Sequence, residues 1–223
     1  MHKAKESRSE WLTKQHALRY LSIAHKLPHR GEGEGVLLDQ ISPKAHCVLD
    51  LGAGDGRLLA RVFDSHPQIN EGVALDFSDP MIDRAKRRFQ DDKRIRIVKH
   101  DLSLPLPEDL GCFDAIVSGL AIHHLTHQRK RRLYREVYSH LNRGGVFCNF
   151  EHVLSPTEKL HRKFFCAIGQ LPEKEDASNK LLDVATQLKW LREIGFIDVD
   201  CYWKWLELAL LVGVKPDFFE ALV

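Results

Sequence analysis

The sequence predicts an α/β fold built on a doubly wound, mostly parallel sheet with helices on both faces. Short apolar runs with strand character alternate with amphipathic stretches of helical period along most of the 223 residues. A glycine-rich turn follows the first apolar run, and aspartates end the next two. Because ligands of such sheets bind at the carboxyl ends of the strands, we expect the functional site there.

Five strands are predicted in the first two thirds of the chain, each as an apolar run bounded by turn residues. They cover residues 46–52, 72–77, 95–101, 113–119 and 144–153. Helical periodicity begins after the second strand, at residue 79, and again after the fourth, at about residue 127. This order of elements is typical of parallel strands joined by helices.

The C-terminal part of the chain departs from this alternation. A last helix is predicted to end at Gly195, where glycine is the usual helix terminator. Two consecutive runs, 197–205 and 206–215, then predict an antiparallel hairpin at the edge of the sheet. The full prediction is a seven-stranded sheet with an antiparallel C-terminal hairpin.

The N-terminal part of the chain is predicted to form a helical segment that precedes the sheet and covers it. Residues 9–27 have an apolar face that includes Trp11, Leu18 and Leu21, and residues 28–35 are glycine-rich and predict a flexible break. We therefore divide the chain into a helical lid, residues 1–35, and a main domain, residues 36–223, with a helical insertion at about 154–185. A lid would exclude water from a site at the sheet.

Charge and hydropathy exclude several kinds of partner. The 33 basic and 31 acidic residues give a net charge of +2, so no overall field favours DNA or an anionic membrane surface. The longest apolar run, residues 208–214, is too short to cross a bilayer, and the first residues lack the apolar core of a signal peptide. We therefore predict a cytoplasmic monomer or homodimer without a membrane partner.

The turn after the first strand, in the stretch LDLGAGDGR, has three glycines at alternate positions. Glycine lets a ligand approach the backbone, and the following helix offers free N–H groups to an anionic group. In the dinucleotide-binding fingerprint the third glycine falls three residues after the second, where this chain has Arg57. The spacing Asp50-x-Gly52-x-Gly54-x-Gly56 instead resembles the first motif of the class I S-adenosylmethionine-dependent methyltransferases, which have a Rossmann-like fold.

Two further acids extend the resemblance. Asp76 ends the second strand, where a carboxylate is able to accept hydrogen bonds from both ribose hydroxyls, and Asp101 ends the third. Either acid alone would also suit an ordinary turn. The resemblance implies S-adenosyl-L-methionine as the cofactor, with Asp101 and the Leu102 amide at the adenine edge and Asp50 at the methionine end. The other implied cofactor contacts are Gly52, Gly54, Phe77, Met81 and Ser118.

Candidate catalytic groups follow the fourth strand, in SGLAIHHLTHQ, which in this family borders the transferred methyl group. His123 and His124 are candidates for a base or a substrate-orienting group, and His152, beside Glu151 at the end of the fifth strand, is a third. Alternatively, the imidazoles of His123 and His124 pack against the following helix and bond only to backbone, and His152 lies in a solvated loop. Although His123, His124 and His127 are close in sequence, no cysteine pair or carboxylate accompanies them, so we predict no metal site.

Two basic features have both a functional and a structural interpretation. Arg30 is a candidate partner for the cofactor's carboxylate, or else a solvated arginine. The run RKRR, residues 129–132, lies on the polar side of a predicted helix, which favours a solvated face. Because no aromatic residues interleave it in the sequence, RNA is not the expected partner.

The resemblance implies an enzyme that transfers a methyl group in line from S-adenosyl-L-methionine to a small-molecule acceptor. One alternative is a carboxy-S-adenosylmethionine synthase or another enzyme of wobble-uridine modification in transfer RNA. The arginine that binds the added carboxylate in those synthases falls on Trp190 here, with Arg192 nearby. A non-catalytic S-adenosylmethionine-binding protein is a further alternative, and Arg57 argues against a nicotinamide-dependent oxidoreductase.

Overall fold

Seven strands form one sheet in the computed structural model, which describes residues 27–217 together with Thr13 and Gln15. The spatial order of the strands is β3-β2-β1-β4-β5-β7-β6. The strands are β1 (Cys47–Leu51), β2 (Glu71–Asp76), β3 (Ile95–Lys99), β4 (Phe113–Gly119), β5 (Leu141–His152), β6 (Ile197–Trp205) and β7 (Leu208–Val214). The described α-helices are α1 (Arg30–Asp39), α2 (Arg57–Ser65), α3 (Asp79–Arg88), α4 (His127–His140), α5 (Glu158–Ala167) and α6 (Val184–Ile194).

The sheet confirms the predicted fold class. Strands β1 to β5 pair in parallel, whereas β7 runs antiparallel between β5 and β6. The chain direction across the sheet reverses at β1, which lies between β2 and β4. A crevice opens at such a reversal, because the helices after β1 and β4 cover opposite faces of the sheet.

Each face of the sheet is covered by its own set of helices. Apolar side chains of α4 and α6, such as Leu133 and Leu191, pack on one face. Side chains of α1, α2 and α5 pack on the other, for example Leu37, Leu59 and Phe164. Burial of these two apolar layers supplies the main stabilisation of the sheet, and it holds the strand ends at fixed positions.

Helix α1 forms where the sequence predicted a flexible break, so that prediction is wrong for residues 30–35. The glycines in this segment serve close packing instead, since a Cβ atom on Gly33 would overlap the rings of Phe150 and Trp203. Tertiary contact with the sheet outweighs the low helix propensity of glycine. The helix also runs through the predicted domain boundary at residue 35. The predicted helix at 9–27 lies outside the described residues except Thr13, Gln15 and Leu27.

No helix in the described part of the chain is long and apolar enough to cross a membrane.

Candidate functional site

The glycine loop between β1 and α2 has all three glycines in the left-handed region, with φ of 70°, 57° and 78° at Gly52, Gly54 and Gly56. A Cβ atom on Gly52 would overlap the side chain of Ala121, and one on Gly56 would overlap Phe89. A Cβ atom on Gly54 would meet nothing within 4 Å. The first and third glycines therefore serve packing, while Gly54 exposes backbone to open space.

The carboxylate of Asp50 is buried near the end of β1, and neither of its oxygens has a hydrogen-bond partner among the described residues. Burial raises the pKa of Asp50 to about 8, and the charge of Asp76 adds to the shift. A buried carboxyl group is stable only when a donor or cation satisfies it. The structure thus leaves Asp50 in need of a partner such as an ammonium group.

Asp76 is the last residue of β2 and faces the glycine loop, as the sequence predicted. Its Oδ2 accepts a 2.8 Å hydrogen bond from the Gly54 amide, and its Oδ1 accepts one of 2.8 Å from the Ser78 amide. Burial raises the pKa of Asp76, although these amides act in the opposite direction. Since each carboxylate oxygen has two acceptor sites, Asp76 keeps acceptor capacity for a sugar hydroxyl beside the amides of Gly54, Phe77 and Ser78.

The loop after β3 carries Asp101 and Leu102 close to the glycine loop. Strand β3 ends at Lys99, so Asp101 lies two residues beyond the strand and accepts a hydrogen bond from the Ser103 amide at 2.8 Å. A side-chain atom of Leu102 lies 3.6 Å from the position of a Cβ atom on Gly52. The structure therefore brings the ends of the first three strands together, as the sequence predicted.

Three other predicted cofactor contacts occupy the same end of the sheet. Phe77 directly follows β2 and is half-buried, whereas Met81 is buried on α3. The hydroxyl of Ser118 donates a 2.8 Å hydrogen bond to the carbonyl oxygen of Leu51, which joins β4 to β1. That bond gives Ser118 a structural role in addition to the predicted contact.

Arg30 is brought to the glycine loop by a carboxylate that the sequence analysis missed. Glu34 is fully buried on α1 and accepts hydrogen bonds from Arg30 Nε at 2.7 Å, from Arg57 and from Arg61. Burial alone would raise the pKa of Glu34, but Arg30 and Arg57 outweigh it and hold the pKa below its usual value. Arg30 therefore lies beside Arg57, the residue that follows the third glycine.

His123 lies in a 3₁₀ turn, Ile122–His124, directly after β4 and is buried. Its Nδ1 lies 2.9 Å from Oε1 of Glu151, and its backbone amide donates to the same oxygen at 3.1 Å. Burial lowers the pKa of His123 well below its ordinary value, with smaller contributions from His152 and Lys130. Burial thus favours the neutral form of the ring, which is fixed by a buried carboxylate.

The other two candidate histidines lie beside His123. The ring centroid of His124 is 4.0 Å from that of His123, and its Nδ1 is 2.8 Å from the Ser178 hydroxyl. The His152 ring centroid is 5.6 Å from that of His123. Three predicted catalytic residues therefore form one cluster where β4 and β5 end.

A second buried carboxylate, Glu207 in the β6–β7 turn, fixes His152. Its two oxygens lie 2.9 Å from His152 Nε2 and 2.9 Å from Nδ1 of His161 on α5. Burial would raise the pKa of Glu207, but hydrogen bonds from His152, Ser155 and His161 hold it below the usual value. Glu207 and His161 were missed, although an acid inside the apolar stretch WLELALL is a visible signal of a buried charge.

The prediction of a solvated RKRR face is wrong for half of the run. Arg129 and Lys130 are buried, and only Arg131 and Arg132 contribute to the surface. With Arg135, they line a groove of about 370 Å³ against Trp190. Helical periodicity did not reveal this burial, because Arg129 is held by the carbonyl oxygens of Leu102 and Leu104 in the loop after β3.

His127 does not join the histidine cluster, since its Nε2 lies 3.0 Å from the carbonyl oxygen of Leu181. Within the described ranges, no group of three or more histidine, cysteine or acidic side chains is arranged to hold a metal ion.

Sequence comparison identifies the domain that carries this site. Residues 48–145, which include the glycine loop, the strand ends and His123, match the family described as "Methyltransferase domain". The chain carries a class I S-adenosylmethionine-dependent methyltransferase domain. The methyltransferase family prediction made from the glycine spacing is thus confirmed.

Curated relatives match this chain over different lengths. An uncharacterized methyltransferase of Mycobacterium tuberculosis is 38% identical over 94 residues, which are 42% of this chain and 45% of that protein. The chain therefore matches less than half the length of this relative. A carboxy-S-adenosyl-L-methionine synthase of Helicobacter hepaticus is 21% identical over 215 residues, which cover 86% of this chain and 89% of that protein.

Solved structures share the fold of the methyltransferase domain at low sequence identity. An O-methyltransferase family protein from Burkholderia thailandensis has a TM-score of 0.73 at 17% identity, and the match covers 95% of this chain and 63% of that one. Human N-acetylserotonin methyltransferase, solved in complex with SAM, has a TM-score of 0.66 at 17% identity, with 92% and 57% covered.

Proposed function

We propose that this protein binds S-adenosyl-L-methionine and transfers its methyl group to a small protic acceptor. The observation that carries the proposal is the buried Asp50 carboxylate, which has no hydrogen-bond partner among the described residues and adjoins the open backbone at Gly54. An amino-acid ligand has the ammonium group that such a carboxylate requires. The confirmed methyltransferase family supports the same ligand.

The residues around the crevice fit the parts of this cofactor. Asp50 and the backbone of the glycine loop would hold its methionine end, and Arg30, which is paired with Glu34, would contact its carboxylate. Asp76 would bind the ribose hydroxyls, and Asp101 with Leu102 would hold the adenine edge. Phe77, Met81 and Ser118 complete the proposed set.

The cofactor supplies an electrophilic methyl group on a sulfonium, so the protein has to align the acceptor and take up its proton. His123 is the proposed base, because burial favours its neutral ring and its contact with Glu151 is made through Nδ1, which leaves Nε2 to receive a proton. Glu151 orients the ring and stabilises the charge that it gains. His124 and His152 would orient the acceptor.

The insertion at about 154–185 contributes to excluding water from this cluster. Helix α5 contacts the rim through His161 and Glu207, and residues 178 and 180 bond to His124 and to the His123 carbonyl. We retain the proposal that residues 1–35 contribute a lid, with residues 30–35 already packed as part of α1.

The carboxy-S-adenosylmethionine synthase alternative is supported by the length of the Helicobacter hepaticus match. Two side chains argue against it. Trp190 lines the outer groove against α4, and Arg192 Nη2 donates to the Val199 carbonyl oxygen at 2.6 Å. Trp190 carries no charge for an added carboxylate, and one Nη group of Arg192 is already bonded to a strand carbonyl oxygen.

Calorimetric titration with S-adenosylhomocysteine tests the cofactor, with reduced nicotinamide dinucleotide as the comparison. We expect heat from the first ligand and none from the second, and the opposite pattern would refute the proposal. Incubation of cell extracts with an isotopically labelled methyl donor then searches for the acceptor. Mass spectrometry of a co-purifying ligand distinguishes the synthase alternative, because carboxy-S-adenosylmethionine is heavier than the methyl donor.

A further inference from the structure

The groove between α4 and α6 is a surface feature that the proposed function does not use. It has a volume of about 370 Å³ and combines several cationic side chains with one aromatic ring. We call it the basic groove, and its lining residues are His127, Gln128, Arg131, Arg132, Arg135 and Trp190. Because these residues come from two helices, the sequence run RKRR alone did not reveal the groove.

Two arginines of the basic groove have no counterion in the part of the chain that the structure describes. Arg132 and Arg135 are exposed, and neither forms an ion pair with a described residue. Arg131 pairs with Glu193 of α6 at 2.8 Å, but Glu193 also lies 3.8 Å from Lys189. The groove therefore has an excess of positive charge, although the net charge of the whole chain is only +2. Such a surface attracts an anionic partner.

The spacing of the cationic residues on α4 suits contact with a second helix. Arg135 follows Arg132 by three residues and Arg131 by four, so the three side chains share one face of the helix. From residue 127 to residue 135 this face extends over about 12 Å, which is about two helical turns. Acidic side chains three or four residues apart on a partner helix repeat at a matching interval. Glu193 already provides one such contact, because it reaches Arg131 from a neighbouring helix.

Trp190 gives the basic groove an apolar surface between its charges. The half-buried indole packs against the core, and the guanidinium carbon of Arg131 lies over the ring at 5.8 Å from its centroid. Tryptophan and arginine are both enriched among the residues that dominate binding at protein interfaces. RNA is a poorer fit, because a base needs an open aromatic face for stacking and Arg131 covers this one.

We propose that the basic groove binds an acidic amphipathic helix of a partner protein. Carboxylates three or four residues apart on that helix pair with Arg132 and Arg135, and an apolar side chain between them packs on Trp190. This is recognition of a helix in a groove, with the charges fixing its orientation. The inference goes beyond the proposed function and does not depend on it, because the groove lies on the outer side of α4.

Fluorescence anisotropy of labelled probes with the full chain tests this proposal at physiological ionic strength. One probe is an alanine-rich helical peptide with paired glutamates at the stated spacing and a leucine between them, and the second has glutamine in place of each glutamate. We expect the glutamate peptide to bind at least about fivefold more tightly, since each exposed ion pair contributes a factor of up to about five. Equal affinities would overturn the proposal, as would tighter binding of an oligouridylate of the same length.

Charge reversal separates binding in the groove from a loss of fold. In the double variant Arg132→Glu and Arg135→Glu, the glutamate peptide should lose affinity. A third peptide with lysine in place of each glutamate should bind this variant more tightly than it binds the unaltered protein, a gain that a misfolded protein would not show. Failure of the lysine peptide to prefer the variant would contradict the proposed contacts.

The matched control reverses two exposed basic residues of α3, Lys86→Glu and Arg87→Glu. This double variant should bind the glutamate peptide as the unaltered protein does. An equal loss in the control would show unspecific attraction to a basic surface and refute the proposal.

Two further measurements test the apolar contact and a competing occupant. Replacing the leucine of the glutamate peptide by serine should weaken binding about tenfold, and an unchanged affinity would overturn the role of Trp190. Sedimentation of the unaltered and charge-reversed proteins reports on a second copy of this chain in the groove. A homodimer that charge reversal dissociates would overturn the proposal, whereas a monomer, or a dimer that charge reversal leaves intact, supports it.

Discussion

Arg129 Nε donates a 2.7 Å hydrogen bond to the carbonyl oxygen of Leu102. The same guanidinium donates to the Leu104 carbonyl oxygen at 2.7 Å and to both carboxylate oxygens of Glu136 at 2.7 Å. One arginine of α4 therefore fixes the loop that carries Asp101. The proposed adenine subsite depends on a residue that does not belong to the crevice.

Arg129→Lys should lower the stability of the protein by about 1.5–3 kcal/mol, since a single ammonium group replaces only part of these charge-assisted bonds. It should also weaken binding of S-adenosylhomocysteine, because the loop after β3 loses its support. Urea denaturation and calorimetry measure the two effects. Arg132→Lys, on the exposed side of the same helix, should change neither, and equal results for both variants would contradict this role.

Asp76→Ala should weaken binding of S-adenosylhomocysteine by about 1.5–3 kcal/mol if its charge-assisted hydrogen bonds to the ribose are lost. Calorimetry measures the change in affinity. Asp79→Ala is the matched control, because Asp79 is an exposed acid on α3 that pairs with Lys99. An unaltered affinity in Asp76→Ala would show that Asp76 is not part of the binding site.

The affinity for S-adenosylhomocysteine should rise with pH between about 6 and 8. The pKa of Asp50 is raised to about 8, so much of the group is protonated in this range, whereas an ammonium ligand prefers the ionised form. Linkage then gives up to about a tenfold gain per pH unit below the pKa. In Asp50→Asn this dependence of affinity on pH should disappear. If it persists, the group that titrates belongs to the ligand and is not Asp50.

Glu34→Gln should destabilise the fold at neutral pH by about 1.5–3 kcal/mol, because three arginines lose their shared carboxylate. The pKa of Glu34 is held below its usual value in the fold, so its stabilisation is complete above that usual value. The stabilisation is lost as the pH falls through the folded-state pKa. Denaturant titrations at neutral and acid pH measure the difference, which should shrink on acidification.

Glu32→Gln is the control for this experiment, since Glu32 is exposed on the same helix and pairs only with His29 in the described contacts. It should have little effect at either pH. A loss as large as that of Glu34→Gln would show that the charge of the helix, rather than the buried cluster, sets its stability.

The strand ends were predictable because parallel strands present their carboxyl ends at one edge, so Asp50 and Asp76 converge whatever the loops do. The buried charged residues were harder to predict from the sequence. Glu34 meets Arg57 and Arg61 across more than 20 residues of chain, and nothing in the local pattern records that contact. Lys130 was misassigned because helical periodicity places a residue on a face without revealing which loops cover that face.

The glycines of α1 also show that the local sequence pattern does not reveal tertiary contacts. Composition alone favours a flexible segment around Gly33, yet the missing side chain is what lets the helix approach Phe150 and Trp203. Whether a glycine loosens a chain or permits contact depends on the surface that it meets. That surface is a property of the folded sheet.

Glu207 gives α5 little freedom to move. Lifting that helix from the rim would separate His161 from a carboxylate that lies inside the protein, and the separation costs about 1.5–3 kcal/mol unless water replaces the imidazole. The helix is thus anchored rather than hinged at this point. Exchange of acceptor and product is therefore less costly through a passage that leaves the two imidazoles on Glu207 in place.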